Sequence, residues 1–356
     1  MAKARKILRR LRSIRSIHEV TRAMYIISTS RFKRAHDLLA AARPYLTGVM
    51  DLAAEAAATG REGEVAHPLL AGGAAGGVVV PPVRSGSVSP VGTARDRQGP
   101  FGAASAKPDA YAPYRQDARA AVLLIIASCR GLCGSYNNAI TGHAADRAEE
   151  LRSAGRRVLL RTSGKRGHLI LEALGWVAER AYPQFDRAPE GAVVRAIADG
   201  LMEEFLCGAV ASVEVAYMRF VSTGQQKPTI EQLLPLTAVR VRPTGQAIAA
   251  PGSTGRTSPP DEAPVGPEPV PPLFMPSRED VLRRLIPEAV RARLLACFLE
   301  ASASEHAARM TAMRYASENA EDLIHELTVR YNRARQGQIT MELAEIMGGR
   351  EGVEGM

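Results

Sequence analysis

The chain has 356 residues, 46% of them hydrophobic, and a net charge of +9. That length suits one large domain or two ordinary ones, and the apolar share excludes general disorder. No apolar run reaches the roughly 18 residues that cross a bilayer, so any membrane contact is expected to be indirect. The charge is uneven: residues 1–36 hold eleven Lys or Arg and a single acid, Glu19. Such a segment favours an acidic partner, whether nucleic acid, anionic lipid or an acidic protein surface. An Arg-rich start also resembles an organelle transit peptide, but the helical pattern continues past Arg34 without a break.

Residues 1–58 read as one helix. Apolar residues recur at Ile7, Leu11, Ile14, Ile17, Val20, Met24 and Ile27, and again at Phe32, Ala35, Leu39, Ala42, Leu46, Val49 and Ala53. A mean step near 3.5 predicts a coiled-coil seam, with a kink expected at Pro44. Residues 59–117 contain Gly72 to Gly77 and Val80-Pro81-Pro82, with many Ser, Gly and Pro. They read as a flexible Gly/Pro-rich insertion.

Residues 118–240 alternate strand and helix. Ala120 to Ala127 is the unbroken apolar run of a strand covered on both faces. A Gly-containing turn follows, Gly131 to Asn137, then a helix to about Ser153. The pattern next predicts a strand over Arg156–Arg161, helices over Lys165–Leu174 and Pro189–Leu206, and a strand over Ser212–Val221. This order implies a mainly parallel, doubly wound sheet. Residues 241–276 are a second Pro/Gly-rich insertion. Ser277 and Asp280 form a capping box for a last helix over 277–347, with a kink expected at Pro287 and a stop at Gly348-Gly349.

The fold class is therefore α/β plus coiled coil. Long N- and C-terminal helices pair in antiparallel fashion around a central Rossmann-like α/β domain. Neither terminal helix can bury its own seam, and each supplies the other's partner.

The sequence is poor in chemistry. A phosphate loop needs Gly-x-x-x-x-Gly-Lys-Ser/Thr, and Ser163-Gly164-Lys165-Arg166 supplies only the Gly-Lys. The seven histidines have no metal spacing, and Cys129 and Cys133 lack further ligands nearby. No catalytic residue, cofactor or metal is expected, which moves the reading towards a transmission role. The run from Tyr331 to Ile346 is polar on all helical faces, which suits a helix enclosed by a partner.

Five segments carry a family resemblance. They are Thr21-Arg22-Ala23-Met24, the turn Ser128 to Asn137, Pro228 to Pro235, Ala303 to Met313, and Tyr331 to Ile346. Together they resemble the gamma subunit of the F-type ATP synthase, the central rotor shaft. The resemblance covers residues 1–67, 118–240 and 273–349. It implies that the helices stand inside a ring of alpha and beta subunits, which holds the catalytic sites. The α/β domain is then the foot, set with the epsilon subunit on the membrane c ring. The chain itself is a non-catalytic part that couples ion flow to ATP synthesis or hydrolysis. In a bacterium it would sit peripherally on the cytoplasmic face of the plasma membrane. Shaft-to-ring contacts carry over to Thr21, Arg22, Met24, Arg309, Arg335, Gln336, Thr340 and Glu342. The foot-to-ring contact falls at Phe274 and Met275, where the family's acid is replaced by Met. Cys129 stands where the family has Asp, and Ser135 where it has Gly. From another class, a basic coiled-coil nucleic-acid-binding protein accounts for the charge of residues 1–36 but not for the carboxy-terminal motif.

Overall fold

The computed structural model describes residues 2–58, 67–70, 120–182, 189–236, 275 and 277–354, without side chains for 2–4, 57–58 and 345–354. Two helices dominate: α1 (Ala2–Ala58) and α5 (Arg278–Glu354). Between them lie β1 (Ala120–Ile126), α2 (Tyr136–Ser153), β2 (Arg157–Ser163), α3 (Lys165–Ala173), β3 (Arg180–Tyr182), α4 (Gly191–Leu206), β4 (Ser212–Phe220) and β5 (Gln226–Leu234).

α1 and α5 pair along a seam with strict alternation of three- and four-residue steps. On α1 it runs through Leu11, Ile14, His18, Thr21, Tyr25, Ser28, Phe32, Ala35, Leu39, Ala42, Leu46, Val49, Ala53 and Ala56, all buried or half-buried. This corrects the expected stripe between Ile14 and Ile27. Ile17, Val20 and Ile27 face outward, each more than half exposed. Successive steps of three turn a stripe back by about 60° each, so the apolar residues there leave the contact face. Polar His18, Thr21 and Ser28 take their places on the seam.

The pairing is antiparallel. Ala35 and Leu39 pack on Leu299 and Ala303. Nearer the foot, Met50, Ala53 and Ala56 share a core with Leu282, Ile286 and Ala289. The Arg278 guanidinium closes that end by donating to the Ala56 carbonyl at 3.0 Å. In this register α5 outruns α1: burial persists to Gln338, and residues 339–344 are all exposed.

Both internal prolines sit inside unbroken helices. Pro287 removes one backbone hydrogen bond. Ile286, Ala289 and Val290, each wholly buried, hold the helix together around it. The expected stop at Gly348-Gly349 is not a stop either, since α5 continues to Glu354. Glycine in a helix costs only about 1 kcal/mol relative to alanine. The start of α5 is the expected one. Ser277 Oγ accepts from the Asp280 N–H at 3.2 Å and donates to the Asp280 carboxylate at 2.8 Å.

The sheet order is β3-β2-β1-β4-β5. The first four strands are parallel and β5 runs antiparallel to β4. β1 is buried along its whole length. α2 and α3 cover one face, while α4, the start of α5 and the end of α1 cover the other. β3 and β5 lack an apolar signature because both are edge strands, and an edge tolerates Pro228 and charges. Within the first Gly/Pro-rich stretch, Leu69 is buried and its carbonyl accepts from the Leu236 N–H at 2.8 Å. Residues 67–70 and Met275 aside, the two expected insertions lie outside the described residues.

Ala303 has no exposed surface at the crossing of α5 with α1. Ala303→Leu should therefore cost about 1–3 kcal/mol through overpacking. Ile27→Ala, on the open face, should change stability by less than about 0.5 kcal/mol. Urea unfolding of the full-length variants checks both.

Candidate functional site

Shaft and foot meet where β1 ends. The turn after β1 is built on Asn137, at the start of α2. Its Oδ1 accepts from the Ser128 N–H at 3.0 Å, and its Nδ2 donates to Ser128 Oγ at 2.7 Å. Ser128 Oγ donates onward to the Arg130 carbonyl at 2.6 Å. The turn forces Leu132 to φ 65°, a left-handed conformation that costs a non-glycine residue of order 1 kcal/mol. Gly164, at φ 110°, follows β2. A Cβ there would lie 2.2 Å from the Ala127 carbonyl oxygen, and one on Gly167 would lie 2.3 Å from the Ala127 side chain. The Gly-Lys fragment thus serves close packing of α3 on the end of β1.

α5 grips this turn. Arg309 is 5% exposed, and its guanidinium donates to the carbonyls of Gly131 and Arg130, both at 3.2 Å. It is neutralised by Glu305 at 2.7 Å. Ser304 Oγ donates to the Met218 carbonyl of β4 at 2.9 Å, and the Tyr136 hydroxyl donates to the Ala301 carbonyl at 3.2 Å. Three elements of the foot are therefore fastened to one stretch of shaft. His306 lies in the same joint. Burial first, then the positive charges of Arg309 and Arg31, push its imidazole down to about 4.

Doubly wound sheets take ligands in the crevice at the carboxyl ends of their parallel strands. Here Phe298, Ser302 and Glu305 of α5 lie against Ile126, Ala127, Cys129, Ser163 and Pro189 at that place. About 20 Å³ remains, room for a single water. Among the described residues no group of three His, Cys, Asp or Glu is arranged to hold a metal ion.

The remaining candidate residues lie on the shaft and at its base. Thr21 is on the seam, with its hydroxyl returned to the His18 carbonyl at 3.0 Å. Arg22 is exposed and Met24 half-buried. Arg335, Gln336, Thr340 and Glu342 are all exposed on the upper part of α5. There Thr340 Oγ1 donates to the Gln336 carbonyl at 3.0 Å, and Glu342 accepts from Gln338 at 2.8 Å. Met275 is exposed beside the start of α5, and Phe274 lies outside the described residues. The fold does not gather these residues into one site. It spreads them along a rod more than 80 Å long at 1.5 Å per residue. Ile17, Val20, Ile26 and Ile27 on α1, and Tyr315, Leu323, Val329, Ile339, Met341 and Leu343 on α5, are exposed along the same rod.

A family model described as ATP synthase matches residues 3–353. The ATP synthase gamma chain of Rhodopirellula baltica is 34% identical over 355 residues, spanning all of both chains. That of Frankia casuarinae is 32% identical over 350 residues, covering 97% of this chain and 96% of its own. The chain belongs to the ATP synthase gamma family. In fold it is similar to a chain in the Euglena gracilis mitochondrial ATP synthase complex of OSCP, F1 and c-ring (TM-score 0.56, 13% identity, 99% of this chain and 95% of that one). It is similar also to a chain of the Euglena rotor (TM-score 0.52, 12% identity, 95% and 99%). These comparisons lend nothing to the nucleic-acid reading. No helix among the described residues is long and apolar enough to cross a membrane.

As an ATP synthase gamma chain, it has a joint made from two of the sequence segments that carry the resemblance. The turn 128–137 and the stretch 303–313 are each other's partners. Sequence reasoning placed Arg309 among contacts to a surrounding ring, whereas its hydrogen bonds lie inside the chain. The strained Leu132 and the outward apolar residues of α1 had no signal in the pattern.

Two outcomes follow from the joint. Arg309→Met leaves Glu305 and two carbonyls without their cation, and should cost about 3–5 kcal/mol in urea unfolding. His306 stays neutral in the folded chain down to about pH 4, while an unfolded histidine protonates below about 6.5. The unfolded state then binds more protons, so this contribution falls as pH drops from about 6.5 to 4. An unfolding midpoint measured against pH should show that loss in the wild type and less of it in His306→Gln.

Proposed function

We propose that this chain is the non-catalytic central shaft of an ATP synthase. In this reading it turns inside a ring of alpha and beta subunits and rests through its foot, with an epsilon subunit, on a membrane ring of c subunits. It couples ion flow to ATP synthesis or hydrolysis. In a bacterial cell it is held peripherally at the cytoplasmic face of the plasma membrane.

One observation carries the reading. Beyond Gln338, α5 continues without a partner helix among the described residues, and every described side chain from Ile339 to Ala344 is exposed. A lone helix with Ile339, Met341 and Leu343 in water gains nothing from its own chain. It gains by insertion into a surrounding sleeve that buries apolar and polar faces together. Arg335, Gln336, Thr340 and Glu342 supply the polar contacts to that sleeve. Lower on the shaft, the exposed arginines of α1 around Thr21, Arg22 and Met24 face an acidic element of the ring. Arg309 acts at one remove, by fixing the foot to the shaft so that torque passes between them. Phe274 and Met275 lie at the foot's approach to the c ring.

Co-expression with alpha and beta subunits tests the reading. The expected result is a complex whose ATP hydrolysis requires this chain, and failure to co-purify with either subunit overturns it. Within such a complex, Arg335→Glu with Glu342→Lys should lower ATP-driven ion pumping several-fold. Both residues are exposed, so the stability of the chain should change by less than about 0.5 kcal/mol. Pumping measured against hydrolysis in vesicles separates these effects.

A further inference from the structure

A second charged cluster lies in the joint, on the opposite side of α5 from Arg309's turn. Glu300 of α5 faces β4, β5 and α1 there. The Phe220 backbone N–H serves one oxygen of its carboxyl group. The other, Oε2, is shut off from solvent and has no hydrogen-bond partner. The groups around it come from every packed element. α1 brings Arg43, β4 brings Tyr217 and Arg219, β5 brings Glu231, and α5 itself brings Cys297, with Arg293 of α5 reaching Glu231. His36 of α1 lies edge-on to Phe220 nearby, with ring centroids 5.9 Å apart.

Arg219 and Arg293 are committed to Glu231, and Arg43 stands exposed on α1, where water screens its charge. Glu231 Oε1 accepts from Arg219 and from the Tyr217 hydroxyl, the latter at 3.1 Å. Its Oε2 accepts from Arg293 at 3.0 Å. Glu231 thus holds both arginines, and Glu300 is left as a second carboxyl group with only a share of Arg219. A buried carboxylate without its own cation favours the protonated form. Burial first, with the Glu231 charge adding to it against the opposing pull of Arg219, lifts Glu300 to about 7.

We propose that Glu300 is a proton-operated latch between shaft and foot: neutral, it lets α5 seat against β4 and β5, and ionised, it is an incompletely paired charge that loosens that contact. The latch belongs to the chain's own fold and does not depend on which partners surround the shaft. Its sign is set by the two states. The seated carboxyl group titrates near 7 and the released one near its ordinary value of 4.5. The stabilisation is therefore complete below about pH 4.5 and is lost as pH rises through 7. Between pH 6.5 and 8.5 the opening equilibrium should rise about fourfold. His306 works the other way, losing its contribution on acidification, but it is unchanged by substitution at Glu300.

Cys297, 3% exposed and one turn before Glu300, reports on opening. The experiment is the rate of its alkylation by N-ethylmaleimide in the full-length chain, followed by peptide mass spectrometry at pH 6.5 and 8.5. The ratio of the wild-type rate to that of Glu300→Gln removes the pH dependence of the thiol itself. That ratio should rise about fourfold over the interval, and a constant ratio overturns the latch. Glu231→Gln removes the neighbouring negative charge and frees Arg219 for Glu300, and should hold it ionised throughout, removing the extra pH dependence. Persistence of the fourfold rise in Glu231→Gln also overturns it, and this variant decides the matter if Glu300→Gln fails to fold.

Discussion

The structure rests on the antiparallel seam between α1 and α5. A helix in a protein draws most of its stability from packing an apolar stripe and less from its own hydrogen bonds. Each terminal helix covers the other, which brings the two ends of the chain together. The foot therefore hangs from the two strands of a single rod. Small residues make the contact close: Ala35, Ala53, Ala56, Ala289, Ala303 and Ala307 are all buried where α1, α5 and the sheet converge. Higher up, where polar His18, Thr21 and Ser28 sit on the α1 side, the seam is held by less apolar area. The rod is thus most strongly bonded at its base and least so towards the tip.

A rod transmits torque only if its base does not slip. The sheet meets α5 through hydrogen bonds from charged and polar groups in place of a broad apolar face alone. Arg309 takes two carbonyls of the β1 turn, Ser304 takes one of β4, and Tyr136 reaches back to α5. Such bonds fix orientation in a way that apolar contact, which is non-directional, does not. The cost is a joint crowded with ionisable groups, among them His306 held neutral and Glu300 pushed up to about 7. A doubly wound sheet normally keeps its carboxyl-end crevice open for a ligand. In this chain Phe298, Ser302 and Glu305 fill it, so the place where a relative in fold would bind a nucleotide is where this one holds its shaft.

Much of this was legible in the sequence. The heptad spacing of Phe32 to Ala53, the buried run Ala120–Ala127 and the box Ser277–Asp280 each encode local structure directly. The absence of a phosphate loop and of metal spacing turned the reading from catalysis to mechanics. The stripe at Ile17, Val20 and Ile27 misleads because apolar type alone does not mark the seam, whose register is set over the whole helix by its better-packed half. β5 was invisible because Pro228, Glu231 and Gln232 suit an edge strand, and edges carry no alternation of their own.

By itself, the sequence determined the two long helices, their need for one another, the parallel core of the foot and the motifs that mark the gamma family. These are properties of periodicity and residue type, which act over a few turns or one strand. Only the tertiary structure decided which residues face inward. It turned Arg309 from a surface contact into a clamp, made Gly164 a packing contact, and gave Glu231 the arginines that Glu300 lacks. Those outcomes depend on groups from different elements, 12 to 179 residues apart in the chain, arriving in contact, and no local pattern records which of several neighbours a charge will take.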